Sequence, residues 1–128
     1  MRAGLTVPTL STVLALLALA GCADARAARE AAMLTGGSPA RGRAAIQTYG
    51  CGACHTIPGV PGANALVGPD LRGVGQRAYV AGVLANTPAN LTRWIMNPPA
   101  VDSLTAMPYL GVSAPDARDI AAYLYSLR

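Results

Sequence analysis

The chain of 128 residues has no Phe, no Lys, one Trp and one His. Much of its apolar fraction is Ala, so side chains alone would form only a marginal core in a chain of this length. A bound cofactor would supply the missing apolar volume. The single His, without a carboxylate cluster beside it, disfavours acid–base catalysis.

All ten positive charges are Arg, against six acidic residues, which gives a net charge of +4 at pH 7. The arginines are spread along the chain rather than gathered in one block. A nucleic-acid partner is therefore not expected.

Residues 1–21 are predicted to be a lipoprotein signal peptide. A positive Met1–Arg2 precedes an apolar run that ends at residue 20 and is shorter than the ~20 apolar residues needed to span a bilayer. The segment Leu-Ala-Gly-Cys22 resembles the lipobox of bacterial lipoproteins, although a free cysteine in an ordinary signal peptide is the alternative. The resemblance implies an exported protein held by lipid at Cys22, in the periplasm or on the outer face of a bacterial cell membrane.

Residues 22–37 are expected to form a lipid-anchored tether. Asp24 is predicted to cap a short Ala-rich helix that ends before Gly36–Gly37. Arg26 and Glu30 are four residues apart, a spacing that predicts an ion pair on that helix.

The sequence Cys51-Gly-Ala-Cys54-His55 has four interpretations. A thioredoxin-type redox pair needs surrounding strands and helices in alternation, which the sequence lacks. A zinc site needs two further ligands, and a structural disulfide leaves His55 unexplained. The fourth interpretation is covalent attachment of one haem c, with thioethers from Cys51 and Cys54 and the His55 imidazole on the iron.

A second axial ligand to such an iron is expected to be a methionine thioether. Met33 precedes the predicted domain, and Met96 lies in a helical pattern where core packing is the simpler role. Met107 lies in a loop directly before Pro108, which favours an extended backbone at Met107. Met107 is therefore the predicted ligand, and the alternative is an apolar loop residue beside an open or water-ligated iron.

Three helices are predicted in residues 38–128. The first runs from Pro39 to about Tyr49 with Ser38 as its cap, and the second spans residues 88–96. The third begins after Ser113, with Asp116 in the capping-box position. A long loop rich in Gly and Pro separates the first two helices and is expected to pack on the cofactor.

Five segments of the chain are, in order, GRAAIQTYGCGACH, VGPDLRGVGQR, NTPANLTRWIMNP, MPYLGVS and IAAYLYSL. Their order is that found in class I c-type cytochromes, and they look most like the cytochrome c domain fused to subunit II of some bacterial haem-copper oxidases. The resemblance covers about residues 38–128. It implies an all-α class I cytochrome c fold of about three to four helices around one covalent haem, here on a lipid anchor without the rest of that subunit.

The same resemblance implies roles for single residues around the haem. The Pro69 carbonyl would accept a hydrogen bond from His55 Nδ1, and Leu71 would pack on the haem face. Arg77 and Trp94 would bind the propionates, although a solvated charge and a core aromatic are the simpler alternatives. Gly42 would let the first helix cross closely over the last, near Tyr123.

These features predict a membrane-tethered electron carrier rather than an enzyme. Six-coordinate iron has no open site, so no small-molecule substrate is expected, and the partners would be redox proteins of a respiratory chain, an oxidase or a dehydrogenase. Arg72, Arg77 and Arg93 are candidates for a cationic docking rim. The alternatives are a permanent electron-transfer subunit of such a complex, or a haem gas sensor or peroxidase if Met107 is not a ligand.

Overall fold

The computed structural model describes residues 10–127, with side chains described from residue 21. The first nine residues of the predicted signal peptide lie outside the described residues. Two 3₁₀ turns and one short hairpin connect the helices. The helices are α1 (Leu10–Thr35), α2 (Pro39–Thr48), α3 (Pro88–Met96), α4 (Pro98–Val101) and α5 (Ala114–Ser126), and the strands are β1 (Tyr79–Val80) and β2 (Leu84–Ala85).

The predicted fold class is confirmed, because the described chain is a small, mostly helical domain with a two-stranded antiparallel sheet as its regular strand structure. Three helices begin at side-chain caps. Ser38, Thr87 and Ser113 each accept a hydrogen bond from the backbone N–H three residues later, and Pro follows each cap within the first turn. The predicted start of each helix is therefore confirmed.

Two local details differ from the sequence predictions. The single turn α4 after Met96 was not predicted; it begins at Pro98 and is capped by Asn97. Proline suits this position because the first turn of a helix leaves its N–H groups unpaired. The hairpin at residues 79–85 was not predicted, since two-residue strands are too short to show an alternating pattern.

Helices α2 and α5 cross closely at Gly42. A Cβ at Gly42 would collide with the carbonyl oxygen of Asp119 on α5. The predicted close crossing at Gly42 is confirmed, with the contact at Asp119 and Ile120 rather than near Tyr123.

Helix α1 continues through the predicted tether. The prediction that Asp24 caps a new helix is wrong, because the Leu- and Ala-rich run before it has high helix propensity and the helix already begins at Leu10. Its end before Gly36 is confirmed, as is the ion pair of Arg26 with Glu30, at 2.9 Å between Nε and Oε1. Ala27 and Ala31 are buried where α1 packs against α5.

A buried carboxylate joins the start of α2 to α5. Asp119 is 6% exposed and accepts from Arg41 Nε at 2.6 Å, from Arg41 Nη2 at 3.0 Å and from the Ser38 backbone N–H at 2.6 Å. These bonds, led by the Arg41 hydrogen bonds, hold the pKa of Asp119 below its ordinary value. The junction between α1 and α2 is thereby fixed to α5.

The apolar core lies where α2, α3 and α5 meet, and Ile46, Leu91, Ile95 and Ile120 are among its buried members. Tyr123 of α5 extends this core to the long loop, since its hydroxyl donates to the Pro58 carbonyl at 2.6 Å. Among the helices that the structure describes, none is both long enough and apolar enough to cross a membrane.

Candidate functional site

A cavity of about 610 Å³ opens beside the core, on the face bounded by the 3₁₀ turn Cys51–Ala53, α3, α5 and two loops. Its size lies in the range typical of cofactor pockets, and its wall is mostly apolar. The wall contains the eight residues that the sequence analysis assigned to the haem site. They are Cys51, Cys54, His55, Pro69, Leu71, Arg77, Trp94 and Met107.

The 3₁₀ turn places Cys51, Cys54 and His55 together. The carbonyl of Cys51 accepts from the N–H groups of both Cys54 and His55, at 3.2 and 3.1 Å, so the chain folds back within one turn. Both cysteines are free thiols, and burial raises the pKa of the Cys51 thiol. Two thiols and an imidazole therefore line the same wall of the cavity.

The loop after this turn fixes the His55 ring. Its Nδ1 lies 2.7 Å from the carbonyl oxygen of Pro69. Because a carbonyl can only accept, Nδ1 is the donor of this hydrogen bond, and in the neutral imidazole the free lone pair is then on Nε2.

Gly68 lies directly against the same ring. A Cβ at Gly68 would lie 2.5 Å from Cε1 and 2.7 Å from Nδ1 of His55, and the Gly68 N–H donates to the Cys54 carbonyl at 2.7 Å. The sequence analysis did not single out Gly68. Its position directly before Pro69 is the signal that would have found it.

Of the described methionines, Met107 lines the cavity. Met96 is partly buried against the core and does not line it, and Met33 is 79% exposed on α1. The choice of Met107 over these two as the ligand candidate therefore agrees with their positions, and its bond to iron stays a prediction.

Arg77 and Trp94 both line the cavity wall, but they differ in their hydrogen bonding. The Arg77 guanidinium donates to the backbone carbonyls of Asp70 and Arg72, which holds it across the loop. Among the described residues, no hydrogen-bond acceptor is found for the Trp94 indole N–H. The other two arginines of the predicted rim, Arg72 and Arg93, are exposed but do not line the cavity.

Two polar residues of the wall were missed by the sequence analysis. Asp102 and Thr105 precede Met107 in the same loop and line the cavity with it.

Cys22 is exposed on α1 and is not part of the cavity wall. In the part of the chain that the structure describes, no group of three or more His, Cys, Asp or Glu side chains is placed to hold a metal ion.

The chain is distantly similar to cytochrome c oxidase subunit 2 of Alkalihalophilus pseudofirmus, with 34% identity over 89 residues. The matched stretch is 69% of this chain and 25% of the relative, so the chain spans about a quarter of the length of the protein it matches. The predicted resemblance to subunit II of an oxidase is confirmed at this distant level. No family model matches the chain. No solved structure matches it either.

Proposed function

We propose that this chain is a membrane-tethered monohaem c-type cytochrome that passes single electrons between respiratory proteins. The observation that carries the proposal is that Cys51, Cys54, His55 and Met107 all line one apolar cavity. Two thiols, an imidazole and a thioether are the donor set of haem c with His/Met ligation. The distant similarity to an oxidase subunit supports the respiratory context.

The residues present fit this cofactor. Cys51 and Cys54 would hold it covalently, and Nε2 of His55 and the thioether of Met107 would be its axial ligands. In the neutral imidazole, a proton on Nδ1 facing the Pro69 carbonyl leaves the lone pair of Nε2 for iron. When bound, haem c supplies an iron centre that gains and loses one electron.

Other wall residues suit the periphery of the cofactor. The partly buried Leu71 offers an apolar contact for the porphyrin face. Trp94 has an indole N–H without a protein acceptor among the described residues, and Arg77 carries a positive charge on the same wall. Both groups would bind the haem propionates, whose carboxylates need donors and counter-charge.

Two axial protein ligands argue for an electron carrier rather than an enzyme. With His55 and Met107 both bound, the iron has no open position for a substrate. The domain would then meet only redox partners, through a small and transient contact. Carbon monoxide binding to the reduced protein would instead support the sensor or peroxidase alternative.

The exposed cysteine of α1 is proposed as the membrane attachment. Cys22 follows the lipobox-like Leu-Ala-Gly and is exposed. A diacylglycerol thioether together with an N-terminal acyl chain would hold the protein durably, since a single chain binds only marginally. Such an anchor would hold the cytochrome domain, residues 38–128, outside the cytoplasm on a membrane surface, joined to the lipid by residues 22–37.

The rim of the cavity is the proposed docking face. Arg77 lines it, and Arg72 and Arg93 are exposed on the flanking loop and helix. Positive charge there would steer acidic partners, a rate effect that salt screens. If reversing these three charges leaves the reduction rate and its salt dependence unchanged, the rim plays no part in docking.

A permanent electron-transfer subunit is the second candidate function. It is favoured by the similarity to an oxidase subunit, although that relative is about four times longer than the matched stretch. Gentle solubilisation of the native membrane distinguishes the two. A stable subunit would co-purify with an oxidase or dehydrogenase, whereas a free carrier would elute without a partner protein.

Covalent attachment is tested by expressing the chain in a host that matures c-type cytochromes. The wild type is expected to keep its haem after denaturation and acid extraction. Cys51→Ala together with Cys54→Ala should abolish that retention. Cys22→Ala is the matched control: it should keep covalent haem and lose retention in the membrane fraction. Loss of the haem from the denatured wild type would refute the proposal.

A further inference from the structure

The loop that carries Met107 is tied to helix α4 by successive hydrogen bonds. The Asp102 N–H donates to the Pro98 carbonyl at 3.0 Å, which closes α4. The Asp102 carboxylate then accepts from the Leu104 backbone N–H at 3.0 Å, and the Asp102 backbone carbonyl accepts from the Thr105 N–H at 3.2 Å. Thr105 is therefore held in place by a turn that is itself anchored on a helix.

The last hydrogen bond of this series joins the Thr105 side chain to the Met107 backbone. The Met107 backbone N–H donates to Thr105 Oγ1 at 3.1 Å, and both residues are partly buried on the cavity wall. The next residue is Pro108, which has no N–H of its own. The bond to Thr105 thus holds the backbone at the residue whose side chain carries the thioether.

We infer that Thr105 is a positioning residue for Met107, holding its backbone so that the thioether is presented to the haem iron. The inference rests on the proposed function, because it needs Met107 to be an axial ligand. It adds a residue that the sequence pattern did not indicate. Asp102 acts through Thr105, by fixing the turn from which the hydroxyl projects.

Threonine suits this role better than its near-isosteres. Its branched Cβ restricts the side chain to few rotamers, so Oγ1 stays where the Met107 N–H needs an acceptor. Valine has the same shape without the acceptor and would leave a partly buried N–H unpaired. Serine keeps the acceptor but rotates more freely, so it restores the bond at some entropic cost.

The consequence is a shift in the balance between bound and detached Met107. If the hydrogen bond forms only when the loop holds the thioether at the iron, removing it favours the detached state. The loss of one neutral hydrogen bond corresponds to roughly a two- to tenfold change in an equilibrium constant. An added ligand that competes with Met107 measures this change directly.

The experiment titrates imidazole into the oxidised, haem-loaded full chain and follows the near-infrared absorption that reports methionine on iron. Thr105→Val is expected to bind imidazole roughly two- to tenfold more tightly than the wild type. Thr105→Ser should lie between the wild type and Thr105→Val. Thr48→Val is the matched control, since Thr48 is exposed on α2, bonds only to its own helix and does not line the cavity.

Three results would overturn the inference. Equal imidazole affinity in the wild type and Thr105→Val means that the hydroxyl does not hold the ligand. Equal shifts in Thr105→Val and Thr48→Val mean a general loss of stability. A wild type without the near-infrared absorption removes the ligand itself, and this outcome alone also refutes His/Met ligation in the proposed function. If Thr105→Val does not fold, Thr105→Ser still decides, because its imidazole affinity must exceed that of the wild type.

Discussion

Replacing Gly68 with Ala is expected to disturb the His55 site directly. The new Cβ would lie 2.5 Å from Cε1, 2.7 Å from Nδ1 and 3.0 Å from Nε2 of the ring. Carbon atoms in van der Waals contact stand about 3.5–4.0 Å apart, so the ring or the loop must move by about 1 Å. The neighbouring Pro69 carbonyl then loses its hydrogen bond with Nδ1.

The magnitude follows from these two effects. Overpacking costs about 1–3 kcal/mol, and the lost hydrogen bond costs about 1 kcal/mol. Together they lower the free energy of unfolding by about 2–4 kcal/mol. The reduction potential should rise as well, because an imidazole without the Pro69 contact is a weaker donor to ferric iron.

Urea denaturation and redox titration of the purified, haem-loaded protein measure the two quantities separately. Gly62→Ala is the control. Gly62 lies in the same loop region with φ +76°, and a Cβ there meets no atom within 4 Å. Positive φ alone costs Ala about 1–2 kcal/mol, so this control should lose stability and keep its potential. The reasoning fails if Gly68→Ala keeps the wild-type potential and stability, or if both variants shift the potential equally.

Three further predictions concern the frame around the site. Gly42→Ala should destabilise the protein by about 1–3 kcal/mol or more, because the new Cβ collides with the Asp119 backbone, and the better helix propensity of Ala does not offset this. Thermal unfolding that matches the wild type would contradict this. Since Arg41 lowers the pKa of Asp119 in the folded state, that carboxylate stabilises the fold above its unfolded pKa of about 4 and stops doing so as the pH falls through the lower folded pKa. Urea midpoints measured from neutral to acidic pH should therefore fall less steeply in Asp119→Asn than in the wild type, and identical slopes would argue against the linkage. Tyr123→Phe removes the hydroxyl that donates to the Pro58 carbonyl at 2.6 Å and should cost about 1 kcal/mol in urea denaturation, with a cost near zero showing that water replaces the contact.

The helix starts were predictable because they depend on residues close together in the chain. Ser38, Thr87 and Ser113 each satisfy an N–H three residues away, and a Pro follows within the first turn. The cluster of Cys51, Cys54 and His55 was predictable for the same reason. The approach of Met107 to these residues came from the resemblance and from the chemistry of the ligand, since no local pattern connects two loops so far apart.

The features that were missed depend on tertiary contacts. Arg41 and Asp119 are 78 residues apart, and nothing in either segment indicates that they meet. Ala27 and Ala31 look like surface residues of an isolated Ala-rich segment, but they are buried because α5 lies against them. Their burial means that the segment predicted as a tether is partly packed on the domain.

The arrangement around His55 shows where sequence reasoning stops. The contact with Pro69 was expected from the resemblance, and the structure contains it at 2.7 Å. The close approach of Gly68 to the His55 ring could not be predicted from the sequence, because it depends on how near the loop at Gly68 packs to that ring. The bond from Met107 N–H to Thr105 likewise depends on the turn after α4, which the sequence analysis did not predict.

The central claim is that His55 and Met107 would both bind the iron of one covalent haem, and absorption spectroscopy of the purified protein tests it most directly. The account predicts the α-band of a c-type haem in the reduced-minus-oxidised spectrum and the near-infrared methionine–iron band in the oxidised form. Met107→Ala should abolish the second feature and keep the first. A c-type spectrum without the near-infrared band, together with carbon monoxide binding by the reduced wild type, would contradict the account.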